Sequence, residues 1–266
     1  MKRRFDKMHG LGNDFVIMDA REQPFEVTAS LARAIADRRT GVGCDQLIVL
    51  EPSESADLKM RIWNSDGGEV EACGNATRCV VQLTGATRID SDAGLLEGAQ
   101  LESEVEVALQ EPRFEWHQIP LAYAMDTTAL PMAWGPLEHP QALNVGNPHV
   151  VFFVDDPASI PMEELGPTIE HDAVFPERVN VNVASITEDG IGLRTWERGA
   201  GLTLACGTGA CATAVTAIQS KRAISPVKVM MPGGLLTIGW ARGEPIRMRG
   251  AATHVFSGEL DLEALQ

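Results

Sequence analysis

The 266-residue chain has few aromatic residues, few cysteines and no long apolar run. None of its apolar runs reaches the roughly 18 residues of a membrane-spanning helix, so we expect no bilayer span. The opening MKRRFDKMHG is basic but has no apolar segment behind it, so we expect no secretory signal. Five cysteines in such a chain predict reduced thiols in a cytoplasm rather than a disulfide framework.

Positive charge is also scarce, since 22 Lys and Arg residues face 37 Asp and Glu residues and the net charge is −15. A protein that binds nucleic acid through phosphate contacts is therefore not expected. Binding to an anionic membrane surface is disfavoured for the same reason. The hydrophobic fraction of 44% is sufficient for a sizeable core, and the length allows one large domain or two modest ones.

Apolar periodicity predicts an architecture in which strands outnumber helices and alternate with them, which indicates an α/β or α+β fold. The helices are expected at 28–39, with Thr28 as the N-cap, and at about 75–83 and 208–221. The predicted strands are 15–18, 46–50, 58–63, 105–109, 150–154, 179–186, 227–230 and 235–240. Six of the fifteen prolines lie in 112–148, which predicts an irregular connection between two halves.

Two segments in opposite halves of the chain resemble each other. MRIWNSDGGEVEACGNA, from residue 60, aligns with LRTWERGAGLTLACGTG, from residue 193. The alignment pairs Trp63 with Trp196 and Cys73 with Cys206, at a constant offset of 133 (206 − 73). Each cysteine lies in an Ala-Cys-Gly triplet directly before a predicted helix.

A second pair of segments repeats at almost the same distance. LGNDFV lies over VGNPHV and pairs Asn13 with Asn147, an offset of 134 (147 − 13), and the same offset pairs Gln46 with Asn180. Several anchors in nearly constant register are hard to obtain by chance. We interpret them as a duplicated α/β unit with pseudo-two-fold symmetry, whose equivalent residues are expected to face each other across a central cleft.

Cys73 and Cys206 lie at predicted helix N-termini, a position that suggests a catalytic role for both thiols. Free N–H groups and the helix dipole favour a thiolate there, and Gly74 and Gly207 leave the N–H groups open to a carboxylate. One thiolate that removes an α-proton, with a second thiol that delivers one from the opposite side, would invert a stereocentre.

Other uses of the cysteines are less favoured. Burial as a small apolar side chain is the expectation for Cys44, Cys79 and Cys211. The sequence spacings between neighbouring cysteines are six (79 − 73) and five (211 − 206), which does not suit a zinc site, so no metal is expected. The few lysines lie in no setting that suggests a pyridoxal phosphate Schiff base, and we expect no cofactor.

The motifs HGLGNDF, GCDQ, WNSDG, EACGNATRC, GNPH, ERVNV and ERGAGLTLACGTGA, in this order, resemble those of the diaminopimelate epimerase family. The resemblance implies a cofactor-independent isomerase that interconverts LL- and meso-2,6-diaminopimelate in lysine and cell-wall precursor synthesis. It also implies two pseudo-symmetric halves, each a mostly antiparallel sheet wrapped around a central helix, with the active site in the cleft between them. The expected halves are 1–118 with Cys73 and 119–252 with Cys206, and 253–266 should pack back on the first.

The resemblance also implies the site residues. The family's catalytic positions correspond to Cys73, Cys206, His149 and Glu197. Its substrate-binding positions correspond to Asn13, Gln46, Asn64, Gly74, Asn75, Asn147, Asn180, Glu197, Arg198, Gly207 and Thr208. Amides hold a zwitterion without adding charge, while an arginine grips a carboxylate and a glutamate pairs with an ammonium.

The chain departs from the usual family pattern at Ala76-Thr77, where Gly-Ala is common, and at Cys44, where alanine is common. Neither departure removes a functional group, so only local packing is affected.

Two alternatives stay open. A proline racemase or a phenazine-pathway isomerase has the same expected architecture, although racemase-like chains carry CGHG where this chain has CGNA. A thiol redox or zinc-binding regulator would use the cysteines without racemisation. The expected partner is the small-molecule substrate diaminopimelate, with a second copy of the chain in a homodimer and neither nucleic acid nor membrane. A cytoplasmic location follows from the reduced thiols.

Overall fold

A computed structural model describes residues 2–71 and 73–265 and divides the chain into two compact units. Unit 1 is Met1–Ala108 with Gly250–Gln266, and unit 2 is Leu109–Arg249. Ala72, which the sequence repeat pairs with Ala205, lies outside the described residues. Within the described ranges, no helix has the length and apolar character needed to cross a membrane.

The elements of each unit follow in chain order. The first part of unit 1 contains β1 (Lys2–Gly10), β2 (Asn13–Asp19), α1 (Ala29–Ala36), β3 (Gln46–Glu51), β4 (Leu58–Asn64), β5 (Glu69–Val70), α2 (Gly74–Thr84), β6 (Arg88–Ser91), β7 (Gly94–Gln100) and β8 (Val105–Ala108). Next come β9 (Ala133–Trp134), β10 (Leu137–Glu138), β11 (Gln141–Asn144), β12 (Pro148–Phe153), a 3₁₀ turn (Pro157–Ser159), α3 (Met162–Glu170), β13 (Asn180–Thr187), β14 (Gly190–Glu197), β15 (Gly201–Thr203), α4 (Gly207–Gln219), β16 (Val227–Met231), β17 (Gly234–Gly239) and β18 (Arg247–Gly250). The chain ends with β19 (Thr253–Asp261) and a 3₁₀ turn (Leu262–Leu265).

The strands of unit 1 form a mostly antiparallel sheet around α2. Among the strand pairs described in unit 1, β2–β3 and β4–β6 are parallel, and β1 pairs antiparallel with both β2 and β19. Helix α2 packs against β1, β7 and β8 and buries residues Asn75–Val81. It ends at Gly85, whose φ of 72° is the left-handed conformation that favours glycine after a helix. Burial begins at Asn75, so Cys73 and Gly74 at the start of α2 are only half-buried.

Unit 2 repeats this plan around α4. The β12–β13 and β14–β16 pairs are parallel, and β11–β12, β13–β14, β14–β15 and β16–β17 are antiparallel. Helix α4 packs against β12, β13 and β17 and is buried without interruption from Gly209 to Ala217. Its small apolar sequence suits a helix enclosed on all sides. The mixed α/β class and the sheet-around-helix halves are therefore confirmed.

The repeat is preserved in the strand register. Strand β4 places Trp63 opposite Leu47, and β14 places Trp196 opposite Val181. The following strands, β5 and β15, show the same equivalence. Ile62 faces Val70 in unit 1, and the residues 133 positions later, Thr195 and Thr203, face each other in unit 2. The two units therefore have one topology, as the duplicated sequence predicts.

Besides strands that the sequence pattern did not predict, such as β1, β6 and β7, the structure differs from the sequence-based elements in three places. Helix α1 has the expected Thr28 cap but ends at Ala36, because the Asp37 carboxylate accepts the N–H groups of Arg39 and Thr40 and turns the chain. The 112–148 stretch is not merely a connection: six of its apolar residues belong to the unit 2 core, namely Ile119, Leu121, Leu130, Trp134, Leu137 and Ala142. Helix α3 was not predicted, and it contains Pro167.

Candidate active site

Cys73 is the N-cap residue of α2 and is half-buried. Its Sγ lies 3.8 Å from the Asn13 Oδ1, an oxygen that also accepts the Asn75 Nδ2 at 3.3 Å. Sheet and helix therefore bring together three residues of the predicted site. The first N–H groups of α2, on Gly74 and Asn75, have no partner within the helix because its hydrogen bonds begin one turn later.

The orientation of these amides is set by charged groups at both ends. Arg78, which is fully buried, donates from Nη2 to the Asn75 Oδ1 at 2.9 Å, so the Asn75 NH₂ must point to Asn13. The Asp45 carboxylate accepts the Asn13 Nδ2 at 3.0 Å, so the Asn13 oxygen must point to Cys73. A donor-only guanidinium and an acceptor-only carboxylate thus fix the direction of the whole chain of hydrogen bonds.

Gln46 and Asn64 form a second pair in unit 1. They lie opposite each other on β3 and β4, and the Gln46 Nε2 donates to the Asn64 Oδ1 at 2.9 Å. The Gln46 Oε1 is buried and has no hydrogen-bond partner among the described residues. A buried acceptor without a partner is costly unless a ligand supplies the donor.

Cys206 occupies the same place in unit 2, as the N-cap of α4, but its surroundings differ. The thiol donates to the Glu197 Oε2 at 3.0 Å, and its sulfur accepts the Gly209 N–H at 3.3 Å. The Thr208 Oγ1 lies 3.5 Å from the sulfur, and the other Glu197 oxygen accepts the Thr203 hydroxyl at 2.6 Å. Cys206 is therefore enclosed by polar partners, with a carboxylate nearest to it.

This environment corrects the expectation that a helix N-terminus makes Cys206 a thiolate. Burial and the Glu197 carboxylate raise the pKa of the Cys206 thiol well above its usual range. The Thr208 hydroxyl and the Gly209 N–H act in the opposite direction but are outweighed. Cys206 is therefore a protonated thiol at neutral pH, and its proton lies on the side of Glu197.

His149 lies on β12 and is fully buried. Burial, and secondarily the Arg198 charge, lower the pKa of its imidazole from 6.5 to about 3. The ring is consequently neutral at physiological pH. Its Nε2 lies 2.8 Å from the Asn147 Oδ1, which ties the two predicted site residues together.

Asn180 and Arg198 are held largely by backbone groups of unit 2. The Asn180 amide donates to the Pro148 carbonyl at 2.9 Å and accepts the Arg198 N–H at 3.0 Å. The Arg198 guanidinium donates from Nη1 to the Glu177 carbonyl at 3.0 Å. Within the described residues, Asn180 has one N–H and one lone pair without a hydrogen bond, and Arg198 has further N–H groups, with which each can bind a ligand.

The other three cysteines are buried, and no disulfide is formed among the described residues. Burial raises the pKa of Cys44 to about 11 and that of Cys79 to about 12. Such thiols stay protonated and inert, in agreement with their interpretation as small apolar residues.

Sequence reasoning missed three polar residues that orient the site: Asp45, Arg78 and Asn182. Asp45 lies within the GCDQ motif and Arg78 within the EACGNATRC motif. Asn182 lies two residues after Asn180 on a strand, so the two share one face of the sheet. This alternation along the strand was the sequence signal by which Asn182 could have been found.

Solved structures of other proteins share the fold. A phenazine biosynthesis protein of the PhzF family from Bacillus anthracis aligns over 98% of this chain and 99% of its own, with a TM-score of 0.69 and 16% identity. A probable proline racemase from Agrobacterium radiobacter aligns over 98% of this chain and 93% of its own, with a TM-score of 0.65 and 15% identity. At such identities the likeness shows the fold alone, and both rival families have it.

Relatives found by sequence distinguish between the families that share this fold. The sequence model of the family "Diaminopimelate epimerase" matches residues 5–110 and 141–255. A diaminopimelate epimerase from Rhizorhabdus wittichii is 63% identical over 99% of this chain and 97% of its own length. One from Sphingopyxis alaskensis is 62% identical over 98% of each chain. The resemblance seen in the motifs is confirmed, and the chain belongs to the diaminopimelate epimerase family.

Proposed function

We propose that Cys73 and Cys206 are the base and the acid with which this isomerase epimerises LL-2,6-diaminopimelate to the meso form in lysine biosynthesis. The observation that carries the assignment is the pair of repeat-related cysteines at helix starts with opposite surroundings. The Cys206 thiol donates a hydrogen bond to a negatively charged carboxylate, whereas the Cys73 sulfur faces a neutral amide oxygen.

The sequence repeat shows where the asymmetry comes from. The residue of unit 1 that is equivalent to Glu197 is Asn64 (197 − 133 = 64), so the carboxylate has a neutral counterpart. A carboxylate against a buried sulfur keeps that sulfur protonated. Cys206 is thus suited to deliver a proton, and Cys73 is left to remove one in the forward direction.

The proton transfers balance without any further group. The Cys73 thiolate takes the α-hydrogen and becomes a thiol, while the Cys206 thiol gives its proton to the opposite face of the same carbon. The Gly209 N–H and the Thr208 hydroxyl then stabilise the Cys206 thiolate. Because the nearby Glu197 carboxylate disfavours that thiolate, the enzyme returns readily to its starting protonation state. Both transfers use thiols, so the proposal needs neither a cofactor nor a metal.

The substrate is a double amino acid, and the site offers two kinds of group for it. The helix starts at Gly74-Asn75 and Gly207-Thr208 present N–H groups that suit the carboxylate at the reacting carbon. The unpartnered Gln46 Oε1 suits an ammonium.

The other residues carried over from the family complete the assignment. Asn64, Asn180 and Arg198 are proposed to hold the distal head, with Asn13 and Asn147 beside the reacting one and Glu197 against Cys206. His149 stays a predicted assistant of the cysteines.

Two finer expectations belong to this proposal. We place the enzyme in the cytoplasm, where its five cysteines stay reduced. We also expect a homodimer. Two large apolar side chains on β19, Val255 and Phe256, are 54% and 47% exposed, as expected for a surface that a second copy of the chain covers. Sedimentation equilibrium measures the oligomer, and a monomer at micromolar concentration would refute it.

Solvent-deuterium incorporation tests the activity and its mechanism. Purified protein in D₂O should convert LL-diaminopimelate to the meso isomer with deuterium at the inverted α-carbon. L-Proline in the same assay should show no exchange. Exchange with proline but not with diaminopimelate would contradict the proposal, as would inversion without exchange.

A further inference from the structure

Asn182 is a fully buried amide on β13 whose orientation is unambiguous. Its Nδ2 donates to the Val150 carbonyl at 3.1 Å, and its Oδ1 accepts the Thr195 hydroxyl at 3.0 Å. A backbone carbonyl only accepts, so the nitrogen and not the oxygen must lie on the Val150 side.

The same nitrogen lies 3.1 Å from the His149 Nδ1. Because an amide NH₂ only donates, the Nδ1 must be the acceptor and the ring proton must be on Nε2. The Nε2–H then donates to the Asn147 Oδ1 at 2.8 Å. This leaves the Asn147 NH₂, for which the structure gives no hydrogen bond within the described residues, as the group that a ligand would meet.

The first turn of α4 holds Asn182 in place. A Cβ at Gly209 would lie 2.6 Å from the Asn182 Oδ1 and 2.9 Å from the Thr195 Oγ1. The absence of a side chain at Gly209 therefore allows the helix that carries Cys206 to close directly over the amide. The hydrogen bonds to the Val150 carbonyl and from the Thr195 hydroxyl then keep the donor and acceptor ends of Asn182 in place.

We propose that Asn182 is a positioning residue that fixes His149 as the Nε2–H tautomer and so turns the NH₂ of Asn147 toward the substrate carboxylate. The inference rests on the proposed function, which places Asn147 at the substrate. Asn13, the repeat counterpart of Asn147, is anchored the opposite way, since its NH₂ is bound by Asp45 and its oxygen faces Cys73 and Asn75. The two related asparagines are therefore anchored through opposite ends of their amides, which leaves the NH₂ of Asn147 as the donor.

The ring ¹⁵N chemical shifts of His149 at pH 7 test the first step without any variant, with the signal assigned by its loss in His149→Gln. The expected spectrum is that of a neutral ring protonated on Nε2. A ring protonated on Nδ1, or an imidazolium, would overturn the proposal. The NMR measurement does not depend on turnover. The tautomer assignment can therefore fail while the cysteine assignment stands, and the cysteine assignment can fail while the tautomer assignment stands.

Two variants test the consequence for the substrate. Asn182→Ala should give a mixture of ring tautomers and raise KM about tenfold, with kcat within about threefold, because a hydrogen bond to a charged group is lost. Thr195→Val disturbs the same buried spot but leaves the Nδ2 contacts, so tautomer and KM should stay near wild type. An unchanged KM in Asn182→Ala, or an equal rise in Thr195→Val, would contradict the proposal. If Asn182→Ala does not fold, the wild-type spectrum decides.

Discussion

Replacing His149 by glutamine should make the protein less sensitive to acid. The folded protein holds the imidazole neutral, with a pKa of about 3, whereas an exposed histidine titrates near 6.5. As the pH falls below 6.5, the unfolded chain takes up a proton that the folded chain refuses. The free energy of unfolding therefore decreases with falling pH over this window, and the loss levels off only below about pH 3. A glutamine at this position cannot gain the proton.

The size of the effect follows from the two pKa values. Each pH unit between them costs about 1.4 kcal/mol, since the two states differ by one bound proton. Between pH 7 and pH 5 the titration of His149 should remove about 2 kcal/mol from the stability of the wild type. All other groups titrate alike in both proteins, so this amount is the expected difference between their pH dependences.

Urea unfolding at pH 7 and pH 5, under reductant, measures the difference. We expect the wild type to lose about 2 kcal/mol more than His149→Gln over this range, whatever the absolute stability of the variant at pH 7. Equal pH dependences would show that the ring is accessible to protons in the folded state. That result would refute the neutral, buried His149 on which its contact with Asn147 depends.

Three further results are expected. Glu197→Gln removes the carboxylate that holds the proton on Cys206, so iodoacetamide should alkylate this thiol at lower pH than in the wild type. A pH profile that does not move would contradict the role of Glu197. Thr28→Ala removes the side-chain cap that accepts the Leu31 N–H and should cost about 1 kcal/mol in chemical unfolding, and no loss would exclude the cap. Lysine and 2-aminopimelate should turn over far more slowly than diaminopimelate, because each leaves buried polar groups unpaired, and comparable rates would show that the distal contacts are misassigned.

The duplication was accessible from sequence because it depends on a few side chains at fixed spacing. The pairing of Trp63 and Trp196 with equivalent partners shows that a constant offset in the sequence becomes a constant register in the sheet. The buried helix α4 was predictable for a similar reason, since its small apolar residues leave no polar face. In contrast, α3 contains a proline and β1 is rich in charge, so neither has the local pattern of its element.

The protonation state of Cys206 could not be read from the sequence. Local reasoning about a helix N-terminus favours a thiolate, but the carboxylate that reverses this preference comes from β14, nine residues earlier in the chain (206 − 197). Asn182 and Arg78 were missed because a polar residue in a strand or helix usually faces solvent. Only the packing shows that both are buried and that their hydrogen bonds orient the residues around the two cysteines.

The most direct test of the central claim compares four alanine variants in the epimerisation assay. Cys73→Ala and Cys206→Ala should each lower kcat by at least about 10²-fold while the protein stays folded, since each removes one proton-transfer group that no neighbour replaces. Cys79→Ala and Cys211→Ala, which alter buried cysteines on the same two helices, should keep near-wild-type rates and lose only some stability. A variant at Cys73 or Cys206 that keeps more than about a tenth of the wild-type rate would contradict the two-thiol mechanism.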